Sequence, residues 1–268
     1  VRAHEPPAPQ PVDLLYQEVL KAGEDLPRMR RLVGSLDLEE LTLLALLRRS
    51  VPVRFLEVVA TLPLVTERPR LQAAVTLNRR APRPLSLKLL PNLFWRDLAE
   101  VALTLRVPGP VRHSAEALLK EKLPEMRSGE RIALARIATP PLMDLLLQDP
   151  DPRILAACLE NAHLREEDLH RALRRDVAPV HLLEEVARSP RWGDNYATRV
   201  VLLLQPRTPL PVGLSLLSSL VKADLRRLAS TEGLAPLLRI AAQRLEAAPG
   251  GPGPAGGRRG LRAPRGRG

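Results

Sequence analysis

Apolar residues along this chain recur at helical spacing, and prolines divide them into short segments. Val53, Leu56, Val59 and Ala60 fall on one face of a helix opened by Pro52, where a missing backbone N–H costs nothing in the first turn. Upstream, Asp37 and Glu40 stand like the two carboxylates of a capping box around the apolar run LTLLALLRR, which predicts a helix over residues 38–48. The same punctuation returns at Pro82 and Pro84, Pro108 and Pro110, Pro140 and Pro141, Pro152, Pro179, Pro209 and Pro211. The strict alternation of a half-buried strand does not occur.

The segments also repeat. Sliding residues 36–119 onto 163–246, an offset of 127, makes 27 of 84 aligned pairs identical, against about a tenth expected by chance in so biased a composition. A shorter echo joins PRLQAAVTLN from Pro69 to PRILAACLEN from Pro152, which share five of ten residues. The offset of 127 is near three units of about 42 residues, the length of a HEAT-like helix pair. One such pair cannot bury its apolar face alone, whereas stacked neighbours bury a continuous core. The expected fold is therefore all-α: a right-handed α-solenoid of about six stacked HEAT-like helix pairs, carrying an internal duplication. Leu90 and its counterpart Leu217 are expected to be stacking positions in its core.

Two segments carry a resemblance. LQDPDPRILAACLENAHLREEDLHRAL from Leu147 and LLLQPRTPLPVGLSLL from Leu202 resemble bacterial HEAT-like repeats and the leucine-rich repeat variant group, with their Asp-Pro-x-Arg helix starts and Asn-Pro-x-Thr-Pro turns. The resemblance covers roughly residues 36–247 and implies a helical-repeat fold that holds partners, without naming one. The chain departs from the turn pattern at Asn78–Pro82, which reads NRRAP, and at Gln205, where Asn is expected. No cysteine cluster accompanies the repeats, so no metallocluster is expected.

Composition agrees with a helical core. The chain is 45% hydrophobic with only 2% aromatic residues, so the residues that favour strands are scarce. The single cysteine, Cys158, permits no intramolecular disulfide. Residues 1–12 lack the apolar core of a secretory signal, and no stretch approaches ~20 apolar residues; a soluble cytoplasmic protein without membrane contact is expected. Residues 249–268 hold eight of the 15 glycines, five arginines and no acid, a composition that cannot offset chain entropy by burial. The expected division is a flexible segment over 1–12, a solenoid over 13–248 and a disordered Gly/Arg/Pro-rich basic tail over 249–268.

Candidate chemistry is sparse. His4, His113, His163, His170 and His181 show no metal-ligand spacing, and the glycines cluster in the tail instead of forming a phosphate loop. Glu39 and Glu40 recur as Glu166 and Glu167, and Asp97 recurs as Asp224; repetition suits early helical turns, where negative charge meets the dipole favourably. No catalytic residue and no cofactor are expected. The residues suited to anchoring a partner are Trp95, Trp192 and Tyr196, although a gap-filling role would serve Trp192 equally well. The leading expectation is a non-enzymatic scaffold that binds another protein. The net charge of +11 supports an alternative, nonspecific binding of RNA or DNA through Arg79, Arg80, Arg83 and Arg207 and through the tail's Arg258, Arg259, Arg262, Arg265 and Arg267. A third reading sets Asp97 and Trp95 beside a HEAT-like DNA glycosylase family by analogy of fold alone. If Arg79, Arg80, Arg83, Arg207 and Arg239 share one groove, nucleic acid is favoured; if they scatter, a protein partner is.

Overall fold

The computed structural model describes residues 11–36 and 38–248, which form nineteen α-helices and no strand among the described residues. Asp37 and the tail arginines, Arg258 to Arg267, lie outside the described residues. Backbone proximity divides the chain between Arg127 and Ser128 into two compact units.

Unit 1 contains α1 (Pro11–Ala22), α2 (Leu26–Ser35), α3 (Glu40–Leu47), α4 (Val53–Val59), α5 (Pro63–Thr66), α6 (Pro69–Leu77), α7 (Arg83–Leu89), α8 (Trp95–Leu103) and α9 (Gly109–Lys122). Unit 2 contains α10 (Ser128–Ala135), α11 (Pro140–Leu146), α12 (Pro152–Glu160), α13 (Glu166–Leu173), α14 (Val180–Arg188), α15 (Pro190–Gly193), α16 (Tyr196–Leu204), α17 (Leu210–Leu217), α18 (Lys222–Ser230) and α19 (Pro236–Ala247). No helix among the described residues is long and apolar enough to cross a membrane.

Proline sets where many of these helices begin. It occupies one of the first two helical positions of α6, α12 and α19, and it stands immediately before α4, α14 and α17. Side-chain caps complete other ends: Asp25, Asp151 and Asn195 accept the N–H groups of Arg28, Arg153 and Thr198 at 3.1, 3.0 and 3.1 Å. Helix α3 begins at Glu40 without a side-chain cap, later than residue 38; Glu40 instead pairs with Arg68 across to α6. Helix α1 starts at Pro11, inside the segment expected to be loose, because Val12, Leu15 and Tyr16 pack against the core of unit 1.

Within unit 1, α1 packs on α3, α3 on α6 and α6 on α8, while α2 packs on α4 and α7 on α9. Unit 2 packs α11 on α13, α13 on α16 and α16 on α18, with α12 on α14 and α17 on α19. The helices correspond ten elements apart. Helices α6 and α16 begin at Pro69 and Tyr196 and end at Leu77 and Leu204, each pair 127 positions apart, as do both ends of α8 and α18. Successive helices α1, α3, α6 and α8 of this row begin 29, 29 and 26 residues apart, closer than the expected unit of about 42. The physical reason is helix length: these four helices, of 8 to 12 residues, complete only two or three turns, so a pair with its turns uses less chain.

The cores are aliphatic. Phe55, Leu56, Leu71 and Val75 are buried in unit 1, and Leu203, Leu217, Leu225 and Leu238 in unit 2. Leu90 and Leu217, expected in the core, are each 1% exposed. Neighbouring helices are also clamped by buried amides. Asn78, just after α6, donates through Nδ2 to the carbonyls of Leu47 and Arg49 at the end of α3, at 2.7 and 2.8 Å. Asn161, just after α12, does the same to Ala135 and Ala138 at 2.7 and 3.2 Å. Gln205, just after α16, bonds Leu173 and Arg175 at 2.6 and 2.9 Å. Each amide oxygen accepts an N–H two residues on, from Arg80, His163 and Arg207 respectively. These side chains therefore satisfy C-terminal carbonyls that a helix leaves unpaired, and Gln205 performs the role of Asn with one more methylene.

Candidate functional grooves

The two units carry grooves at corresponding positions. In unit 2, α13, α16 and α18 enclose about 490 Å³ lined by His170, Arg174, Tyr196, Val200, Val201, Leu204, Asp224 and Arg227, among others. In unit 1, α3, α6 and α8 enclose about 680 Å³ lined by Leu47, Arg49, Arg70, Ala73, Ala74, Leu77, Asp97 and Glu100, among others. Moving 127 positions turns Ala73, Ala74, Leu77, Asn78 and Asp97 into Val200, Val201, Leu204, Gln205 and Asp224, all of which line the second groove. The apolar floor comes from one face of α6 or α16, and the charged wall from α8 or α18.

Electrostatically the grooves differ. Five guanidinium groups (Arg48, Arg49, Arg70, Arg79, Arg106) meet two carboxylates in unit 1, whereas Arg174 and Arg227 are matched by Asp176 and Asp224 in unit 2. Arg49 is occupied: it pairs with Asp13 at 2.7 Å and lies 5.1 Å from the Tyr16 ring. Arg48, Arg79 and Arg106 are exposed and make no ion pair among the described residues. Burial raises the Asp97 carboxyl above its ordinary range, opposed by a hydrogen bond from the Phe94 backbone and by the charge of Arg70.

In unit 2, His170 is 7% exposed and its Nε2 lies 2.9 Å from Thr198 Oγ1. Burial lowers its pKa, with the Glu166 carboxylate raising it and Arg174 lowering it further. The Tyr196 hydroxyl donates to Asp224 and accepts the Val221 N–H at 3.2 Å, which ties the start of α16 to the start of α18. Burial and the Asp224 hydrogen bond both raise the phenol pKa. No group of three His, Cys, Asp or Glu side chains suited to a metal occurs among the described residues.

The residues singled out from sequence disperse. Trp192 is 5% exposed and its indole N–H donates to the Leu159 carbonyl at 3.0 Å, with Arg191 over its ring at 4.4 Å; it joins α15 to the end of α12 and offers little surface. Gly193 beside it allows this approach, since an added Cβ would stand 2.4 Å from the Ala187 carbonyl oxygen. Trp95 opens α8 with Arg96 5.2 Å from its ring, outside the residues that line the unit 1 groove. Tyr196 lines the unit 2 groove.

Of the arginines, Arg79 lines the unit 1 groove. Arg80 pairs with Glu24 at 3.1 Å, Arg83 opens α7 as an exposed residue, and Arg207 is exposed after α16 but absent from the groove lining. Arg239 is half-buried on α19. Sequence reasoning missed Arg48, Arg70 and Arg106; the usable signal was their place at helix ends beside the repeated Asn78 and Asp97. Compared with models of protein families, with curated proteins and with solved structures, the chain matches none.

Proposed function

We propose that the chain is a non-enzymatic helical-repeat binding module of HEAT-like character, each unit a short α-solenoid derived from one internal duplication, and that its grooves hold a protein partner. The observation that carries this reading is the recurrence of a groove with an aliphatic floor and a charged wall at matching positions of both units. A floor of Ala, Val and Leu receives apolar side chains, and its polar rim orients them. A residue needed for chemistry would be required once, yet the groove's Asp97 recurs as Asp224 in different surroundings. Among the described residues, Arg79 lines a groove while Arg80, Arg83, Arg207 and Arg239 stand outside the groove linings, and this distribution supports a protein partner.

Photo-crosslinking tests the reading. A photoreactive residue placed at Arg79 or Arg227, both exposed groove residues, is expected to capture the same protein in native cells, and one at exposed Leu20 is not. Nucleic-acid adducts at the groove positions, or equal capture from Leu20, would overturn it.

A further inference from the structure

We infer that the groove of unit 1 receives an acidic peptide segment of the partner, its carboxylates facing Arg48, Arg79 and Arg106 and its apolar side chains on the floor of Leu47, Ala74 and Leu77. This rests on the protein-binding reading above.

The positions of the three arginines carry the argument. Arg48 caps the end of α3, Arg79 stands two residues beyond α6 and Arg106 three residues beyond α8. Each of three successive row helices thus presents one guanidinium at its C-terminal end, on the groove. All three are exposed and unpaired among the described residues, so no internal carboxylate must be displaced for a ligand to reach them. Guanidinium groups also match carboxylates in a bidentate geometry. An extended segment running past the three helix ends would meet one arginine per repeat.

Unit 2 lacks this ladder. At 127 positions on, Arg48 becomes Arg175, which is held by Asp144 at 2.6 Å; Arg79 becomes Pro206 and Arg106 becomes Gly233. The corresponding groove is therefore electrically balanced while keeping the apolar floor.

The groove's other residues favour a peptide over a nucleic acid strand. None of its lining residues is aromatic, so there is no platform for stacking bases. Asp97 and Glu100 stand on the same wall. A peptide backbone supplies N–H donors to these carboxylates, whereas a phosphate backbone supplies none.

The test uses the full chain and fluorescence polarisation with three labelled probes: a peptide alternating Glu and Leu, its Gln counterpart, and a single-stranded oligothymidylate of similar charge. Two double variants, R79E/R106E and R30E/R136E, the latter at exposed arginines outside both grooves, change net charge equally, so nonspecific attraction cancels between them; circular dichroism checks that both stay helical. The Glu peptide is expected to bind at least about 10-fold more tightly than the Gln peptide. R79E/R106E should weaken it about 10-fold or more, with R30E/R136E within about twofold of wild type. Equal loss in both variants, no binding of the Glu peptide, or tighter R79-dependent binding of the oligothymidylate would overturn the inference. Protein adducts still formed at the grooves under any of those outcomes would leave the wider reading standing.

Discussion

Replacing Asn161 by Ala is expected to destabilise the fold by about 2–4 kcal/mol. Asn161 is 1% exposed, and its amide N–H groups supply the Ala135 and Ala138 carbonyls at 2.7 and 3.2 Å. Truncation leaves both acceptors in a site that water does not reach, and a buried group left without a partner costs about 1–3 kcal/mol. The shorter bond should account for most of the loss. The amide oxygen also releases the His163 N–H, held at 2.7 Å, but that group is only partly buried and can turn to solvent. In a chain of this size each kcal/mol moves Tm by about 2–4 °C, so N161A should melt roughly 4–16 °C below wild type by far-UV circular dichroism. Gln205→Asn should lower Tm similarly, because the shorter side chain cannot span to Leu173 and Arg175. A Tm for N161A within about 1 °C of wild type would refute the clamp as a stabilising device.

Gly193→Ala places a Cβ 2.4 Å from the Ala187 carbonyl oxygen; the backbone must shift, and a loss of about 1–3 kcal/mol is expected in a denaturant titration. His170 holds a lowered pKa because it is buried, so below about 6.5 the unfolded chain takes a proton that the folded chain resists. Stability should therefore fall as pH drops from that value toward the folded pKa, and His170→Asn should flatten this part of the pH–stability curve measured by thermal melts. Burial, with help from the Asp149 charge, pushes the Cys158 thiol up to about 12, and its side chain is fully buried. Alkylation at mild pH should then proceed only through unfolding, so a thiol reactivity equal to that of a free cysteine would contradict its placement.

The all-helical fold was determined by local chemistry. Prolines before or within the first turns of α4, α6, α12 and α14 fix φ where a helix must begin, and the Leu and Ala spacing of the segments between them buries one face. The repetition at 127 positions was equally visible, since identity survives where residues pack, as at Leu90 and Leu217. Tertiary structure decided the rest. The repeat length depended on helices shorter than the assumed pair, and residue spacing alone does not reveal which helix packs on which. Gln205 read as a departure from a turn pattern and proved to be a clamp, because its function depends on carbonyls some thirty residues earlier in the chain. Whether Trp192 anchored a partner or filled a gap was open until its burial beneath α12's last turn decided for the latter, and Arg80 read as a free cation until the Glu24 carboxylate accounted for it. Arg48 and Arg106 looked ordinary until α3, α6 and α8 set their ends along one groove. Exposure and pairing are properties of neighbours brought from distant sequence, and a linear pattern carries no record of them.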